Sequence, residues 1–73
     1  MDERIAIDDT ICHGKPVIRG TRVPVALVVG SLAGGMSYEE VQTDYEITRE
    51  DILAALRFAG SLVEQDEFYS LTK

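Results

Sequence analysis

Met36-Ser37-Tyr38-Glu39-Glu40-Val41-Gln42-Thr43-Asp44-Tyr45-Glu46-Ile47-Thr48-Arg49-Glu50-Asp51-Ile52 holds two helix starts of one design. Ser37 has Glu40 three residues on, a capping box, and Met36 stands opposite Val41 as a hydrophobic staple. Thr48 repeats the device with Asp51, a weaker partner than Glu, and Ile47 stands against Ile52. The spacing predicts a short helix over 38–45 and a longer one from Arg49 to about Glu64. Ile52, Leu56, Ala59 and Val63 fall on one stripe of the longer helix. Gly60 inside it costs about 1 kcal/mol relative to alanine, which suggests close packing there.

Upstream, Pro24 fits the first turn of a helix, where its missing donor does no harm. From there to Ala33 the chain is apolar nearly all round, the pattern of a helix buried on several sides. Gly34-Gly35 ends it, with a glycine in the left-handed position after the cap. Further back, Arg4-Ile5-Ala6-Ile7-Asp8 alternates as a short strand and Asp8-Asp9-Thr10 is a turn. Pro16-Val17-Ile18-Arg19 reads as a second short strand closed by Gly20. The expected fold class is mainly α, a three-helix helix-turn-helix core behind one or two short N-terminal β-strands. One domain is expected, with residues 1–22 as a strand and basic-loop arm, 23–64 as the core and 65–73 as an acidic tail.

Seventy-three residues give a lone core worth only about 3–5 kcal/mol. Cys12 is the only cysteine, so an internal disulfide is excluded and a reducing compartment is mildly favoured. Cys12 with His13 falls short of the four ligands of structural zinc. Oligomerisation remains, and a homodimer is its economical form. No run approaches the roughly 20 apolar residues of a membrane span. The start Met1-Asp2-Glu3 lacks the basic residues of a secretory signal, so a cytoplasmic protein without membrane association is expected. The net charge of −6 opposes avid non-specific binding to nucleic acid.

The charge is divided unevenly. From Thr10 to Ser37 there are three cations, Lys15, Arg19 and Arg22, and no acid. Residues 38–73 hold three cations against nine acids. Lys15, Arg19, Thr21 and Arg22 are therefore the candidate partner- or phosphate-binding residues, balanced against a role tying down loop carbonyls or pairing with acids. Gly14-Lys15 is followed by Pro16, so no P-loop is present, and turn geometry is the better account of Gly14, Gly20 and Thr21.

Cys12 and His13 are adjacent on what reads as extended chain, so their side chains are expected on opposite faces. With no carboxylate near in sequence to orient the imidazole, no catalytic residue, metal or cofactor is assigned. On the long helix, Arg49, Glu50, Leu53, Ala54, Arg57 and Ser61 are expected to face outward. Arg49 and Arg57 are the candidate DNA-facing cations, but acids crowd the end that phosphates would approach, and base readout favours Arg, Lys, Asn or Gln. Phe68, Tyr69 and Leu71 in the acidic tail form a candidate partner-binding segment.

Cys12 to Val25 resembles the Cys-x-Gly-Lys-Pro-x-Ile-x-Gly-Thr-Arg-x-Pro-Val segment of the domain-of-unknown-function 433 family. Gly35-Met36-Ser37-Tyr38-Glu39-Glu40 is similar to its Gly-x-Ser-x-Glu-Glu motif. Tyr45, Thr48, Glu50, Asp51, Ile52, Ala55 and Leu56 follow its third motif, so the likeness runs over about residues 4–60. His13 departs from the glycine many members carry, and the turn after Tyr45 lacks a proline often found there. The resemblance implies a homeodomain-like helical module and an antitoxin encoded beside a small PIN-like ribonuclease toxin. A regulator binding operator DNA, including that of its own operon, and a structural homodimer or accessory subunit are the alternatives.

Overall fold

The computed structural model describes residues 2–66. The expected tail residues Phe68, Tyr69 and Leu71 lie outside them. Two short strands, β1 (Ile5–Ala6) and β2 (Val17–Ile18), precede three helices: α1 (Val25–Ala33), α2 (Tyr38–Tyr45) and α3 (Arg49–Asp66). The strands pair antiparallel with Ile5 opposite Ile18 and Ala6 opposite Val17. Three helices behind a two-stranded sheet is the expected class.

Ile5, Ile18, Val25, Val28, Val41, Ile47, Ile52, Ala54 and Ala55 form one buried cluster. The strands thus supply part of the core, and the segment through Ile5 and Ile18 is not an arm set apart from it. A pair of two-residue strands is too small to persist alone; burial of Ile5 and Ile18 under the helices holds it.

The helix ends follow the local chemistry. The Gly35 N–H donates to Leu32 O at 3.0 Å and the Met36 N–H to Ser31 O at 3.1 Å, the Schellman closure of α1. Ser37 and Glu40 complete their box, with Glu40 N–H to Ser37 Oγ at 3.0 Å and Ser37 N–H to Glu40 Oε1 at 2.8 Å. Thr48 and Asp51 do the same at 3.1 and 3.0 Å. The Ser31 and Tyr45 hydroxyls share a hydrogen bond of 2.7 Å that ties α1 to the end of α2.

Glu46 caps α2 with φ +55°. A left-handed conformation costs a non-glycine residue about 1–2 kcal/mol. The exposed Glu46 side chain makes no hydrogen bond among the described residues. Glu46→Gly is therefore expected to stabilise the protein by about 1 kcal/mol. Thermal unfolding followed by circular dichroism should show a rise of about 4–8 °C; a fall would mean that Glu46 makes a stabilising interaction.

Three expectations for α3 need correction. Ala54 is fully buried and not outward, because α3 is packed by α1, α2 and β1 together. Val63 is 57 % exposed, and a side chain at Gly60 would meet no atom of the described residues within 4 Å. The reason is length. At about 1.5 Å per residue, the nine residues of α1 reach half as far as the eighteen of α3. The last turns of α3 run past the elements that would cover them.

Two ion pairs fasten the N-terminus to α3: Arg4 with Asp51 at 3.0 Å and Arg57 with Asp2 at 2.7 Å. Partial burial works against the Asp51 carboxylate, but hydrogen bonds from Thr48 and the Arg4 guanidinium outweigh it and lower the pKa. The Arg4 backbone N–H, then Arg57, lowers that of Asp2. The Thr10 hydroxyl and N–H lower that of Asp8. A carboxylate held below its unfolded value stabilises the fold above that value, 3.8, and the gain is lost as pH falls through the native values. Urea unfolding midpoints should therefore hold near neutrality and drop below about pH 4, and Asp51→Asn should flatten that drop.

Candidate functional site

Gly14 to Val25 folds back on itself. The Ile18 N–H donates to Val23 O and the Val25 N–H to Pro16 O, both at 2.9 Å, with Val17 bridged to Pro24. β2 therefore lies between β1 and the 23–25 segment. Pro24 sits where its nitrogen points away from β2, so the ladder loses no donor. At the tip, the Thr21 N–H reaches Ile18 O at 3.0 Å and Gly20 has φ +82°. That is the third position of a type II turn, which favours glycine. The Thr21 hydroxyl donates to Ile18 O at 2.7 Å and accepts from the Val23 N–H at 2.9 Å. Thr21 is thus committed to the turn.

Cys12 and His13 are not extended, as the sequence suggested. Cys12, His13 and Gly14 have φ of +51°, +57° and +81°, a left-handed turn closed by Gly14 N–H to Ile11 O and Lys15 N–H to Cys12 O, both at 3.1 Å. The glycine that His13 replaces in many members would take this conformation without strain. A side-chain carbon at Gly14 would stand 3.0 Å from Asp9 Oδ1. The Cys12 thiol donates to Arg22 O at 3.5 Å. Cys12 thereby holds the two ends of the basic segment together, its backbone at Lys15 and its sulfur at Arg22.

Most cations are spent within the molecule. Arg19 donates from Nε to Glu3 O and from Nη2 to Ile5 O at 3.2 Å, clamping β1 from the neighbouring strand. Arg4 and Arg57 are in the ion pairs above. Arg49 stacks 4.6 Å above the centre of the Tyr38 ring, a cation–π contact. Both candidate DNA-facing cations, Arg49 and Arg57, are so engaged. Lys15 and Arg22 are exposed, and neither side chain has a hydrogen-bond or ion-pair partner among the described residues. Each is bonded through its backbone to Cys12, Lys15 by its N–H and Arg22 by its carbonyl, whereas Arg19 and Thr21 spend their side chains on the hairpin and β1.

The partners that decide this were missed in the sequence. Arg4 to Asp51 spans 47 positions and Arg57 to Asp2 spans 55, and no local spacing signals either. The recess between the N-terminus and α3 is lined by Asp2, Glu3, Arg4, Arg19 and Asp51; all but Glu3 use their side chains inside the fold. Among the described residues no three of His, Cys, Asp and Glu gather to hold a metal. No described helix is long and apolar enough to cross a membrane.

The model of the family described as "Protein of unknown function (DUF433)" matches residues 5–59. The chain belongs to the DUF433 family. This is the family its three motifs resemble. A DUF433 member protein from Anabaena variabilis is 32% identical in sequence and superposes with a TM-score of 0.79, covering 88% of this chain and 64% of that one. Rv2018 from Mycobacterium tuberculosis is 35% identical with a TM-score of 0.66, over 71% of this chain and 24% of its own. This DUF433 chain therefore spans less than two thirds of either neighbour's length. No curated protein matches it.

Proposed function

We propose that this DUF433 protein is a non-enzymatic binding module of the cytoplasm, the antitoxin of a toxin–antitoxin pair, which neutralises a small PIN-like ribonuclease as a homodimer. The observation that carries this reading is the division of the cations. Four are consumed by the fold, while Lys15 and Arg22 stand exposed on a braced hairpin. A nuclease of that class holds its metals with clustered carboxylates, which such cations can engage.

The homodimer is supported by the outer face of α1. Ala26, Leu27, Gly30 and Ala33 are exposed there, Leu27 by 43 %, and no charged residue occurs from Val23 to Ser37. Strand addition has less support, since Arg19 occupies the Glu3 and Ile5 carbonyls and Pro24 interrupts the other edge. DNA readout by α3 also has less support, with its arginines engaged and Glu39, Asp44, Glu46 and Glu50 exposed around it.

The test is recovery of the tagged protein from its native host, with partners identified by mass spectrometry and the purified protein sized by light scattering. A small ribonuclease in stoichiometric amount on a dimeric bait would support the reading. Recovery of the bait alone would count against the antitoxin role, and a monomer at micromolar concentration against the dimer.

A further inference from the structure

The exposed cations Lys15 and Arg22 suit one kind of anion better than another. Affinity for nucleic acid at cellular salt grows with the number of phosphates that lysines and arginines neutralise. One chain offers two unengaged cations among its described residues, and two copies would offer twice that. The rest of the surface works against a polyanion, because the protein carries −6 overall and the exposed acids of α2 and α3 repel an extended phosphate chain. A compact carboxylate group asks for much less. Two carboxylates can be met by one guanidinium fork and one ammonium, without a long basic track.

The loop is also built to hold its shape. Cys12 fixes Lys15 through its carbonyl at 3.1 Å and Arg22 through its thiol at 3.5 Å. Beyond Arg22, the Val23 N–H is held by the Thr21 hydroxyl. On the other side, Lys15 is followed by Pro16, whose carbonyl accepts from the Val25 N–H. The backbones carrying both cations are ordered before any partner arrives, which lowers the entropic cost of binding. Asp9 approaches Gly14 yet makes no ion pair with Lys15 within 4 Å, so the charge remains available.

We infer that Lys15 and Arg22 form a two-pronged clamp for clustered carboxylates on a protein surface. The inference rests on the proposed role of the basic loop, and it holds whether or not the partner is a nuclease.

Amide chemical shifts of the isotope-labelled full chain test it. Three probes would be titrated in near-physiological salt: a short oligo-aspartate peptide, inorganic phosphate and a short single-stranded oligonucleotide. The expected result is shifts from the peptide at Cys12, His13, Lys15, Arg22 and Val23. The double variant K15A/R22A should keep a folded spectrum and bind at least about tenfold more weakly. The pair K15R/R22K should retain most of the affinity.

Tighter binding of the oligonucleotide at these same amides would overturn the clamp in favour of nucleic acid. Saturation by phosphate at equal or lower concentration would reduce it to a general anion site. Silence with all three probes, or equal peptide binding by K15A/R22A, would also overturn it. Peptide binding at the clamp together with an empty pull-down would leave the clamp standing and reject only the nuclease.

Discussion

Ile52→Ala is expected to leave much of the protein unfolded at room temperature. Ile52 is fully buried on α3, which packs against α1, α2 and β1. Truncating such a side chain costs about 2–5 kcal/mol, the lost transfer energy plus the cavity left behind. A lone core of this size supplies only about 3–5 kcal/mol in all, so a single truncation can consume most of it. Ile52→Val removes one methylene group, costs about 0.5–1.5 kcal/mol and should stay folded. Urea unfolding followed by far-ultraviolet circular dichroism separates the two. If the homodimer contributes, the Ile52→Ala transition will also move upward with protein concentration, because mass action favours the associated native state. A midpoint unchanged from the parent protein would mean that α3 is not where the core draws its stability.

Arg19→Ala and Arg22→Ala are expected to behave as opposites, although the two residues lie three positions apart in one basic run. Arg19 donates to the Glu3 carbonyl just before β1 and to the Ile5 carbonyl within it, and a hydrogen bond to a charged group is worth about 1.5–3 kcal/mol. Water reaches part of that clamp, so the loss should fall toward the lower end. The exposed Arg22 guanidinium makes no hydrogen bond or ion pair among the described residues, and substitution there should change stability by no more than about 0.5 kcal/mol. Arg19→Lys should recover less than half the loss, since one ammonium cannot reproduce the guanidinium fork across two carbonyls. Denaturant midpoints of the three variants decide the matter. Equal losses for Arg19→Ala and Arg22→Ala would refute the division of labour on which both the proposed function and the carboxylate clamp depend.

That division assigns different tasks to like-charged residues of one short run. The run from Gly14 to Val25 suggested a binding surface because it holds three cations and no acid. Folded, most of that run makes a hairpin. Gly20 and Thr21 build its turn, Arg19 fastens it to β1, and Pro24 leads into α1 from its second limb. Two cations are left over.

The sequence by itself determined the helix starts, the end of α1, the strand positions and the family. Each rests on chemistry confined to a few neighbouring residues: Ser37 with Glu40, Thr48 with Asp51, Gly35 after Ala33. Hydrogen bonds of that range close in the same way wherever the chain later goes. The tertiary structure alone decided that Ala54 is buried and Val63 exposed, that Cys12 and His13 turn left-handed, and which arginines are engaged within the fold. Burial on a helix depends on how far its neighbours extend, and an ion pair such as Arg57 with Asp2 joins residues 55 positions apart. Such pairings exist only once packing has brought the ends of the chain together.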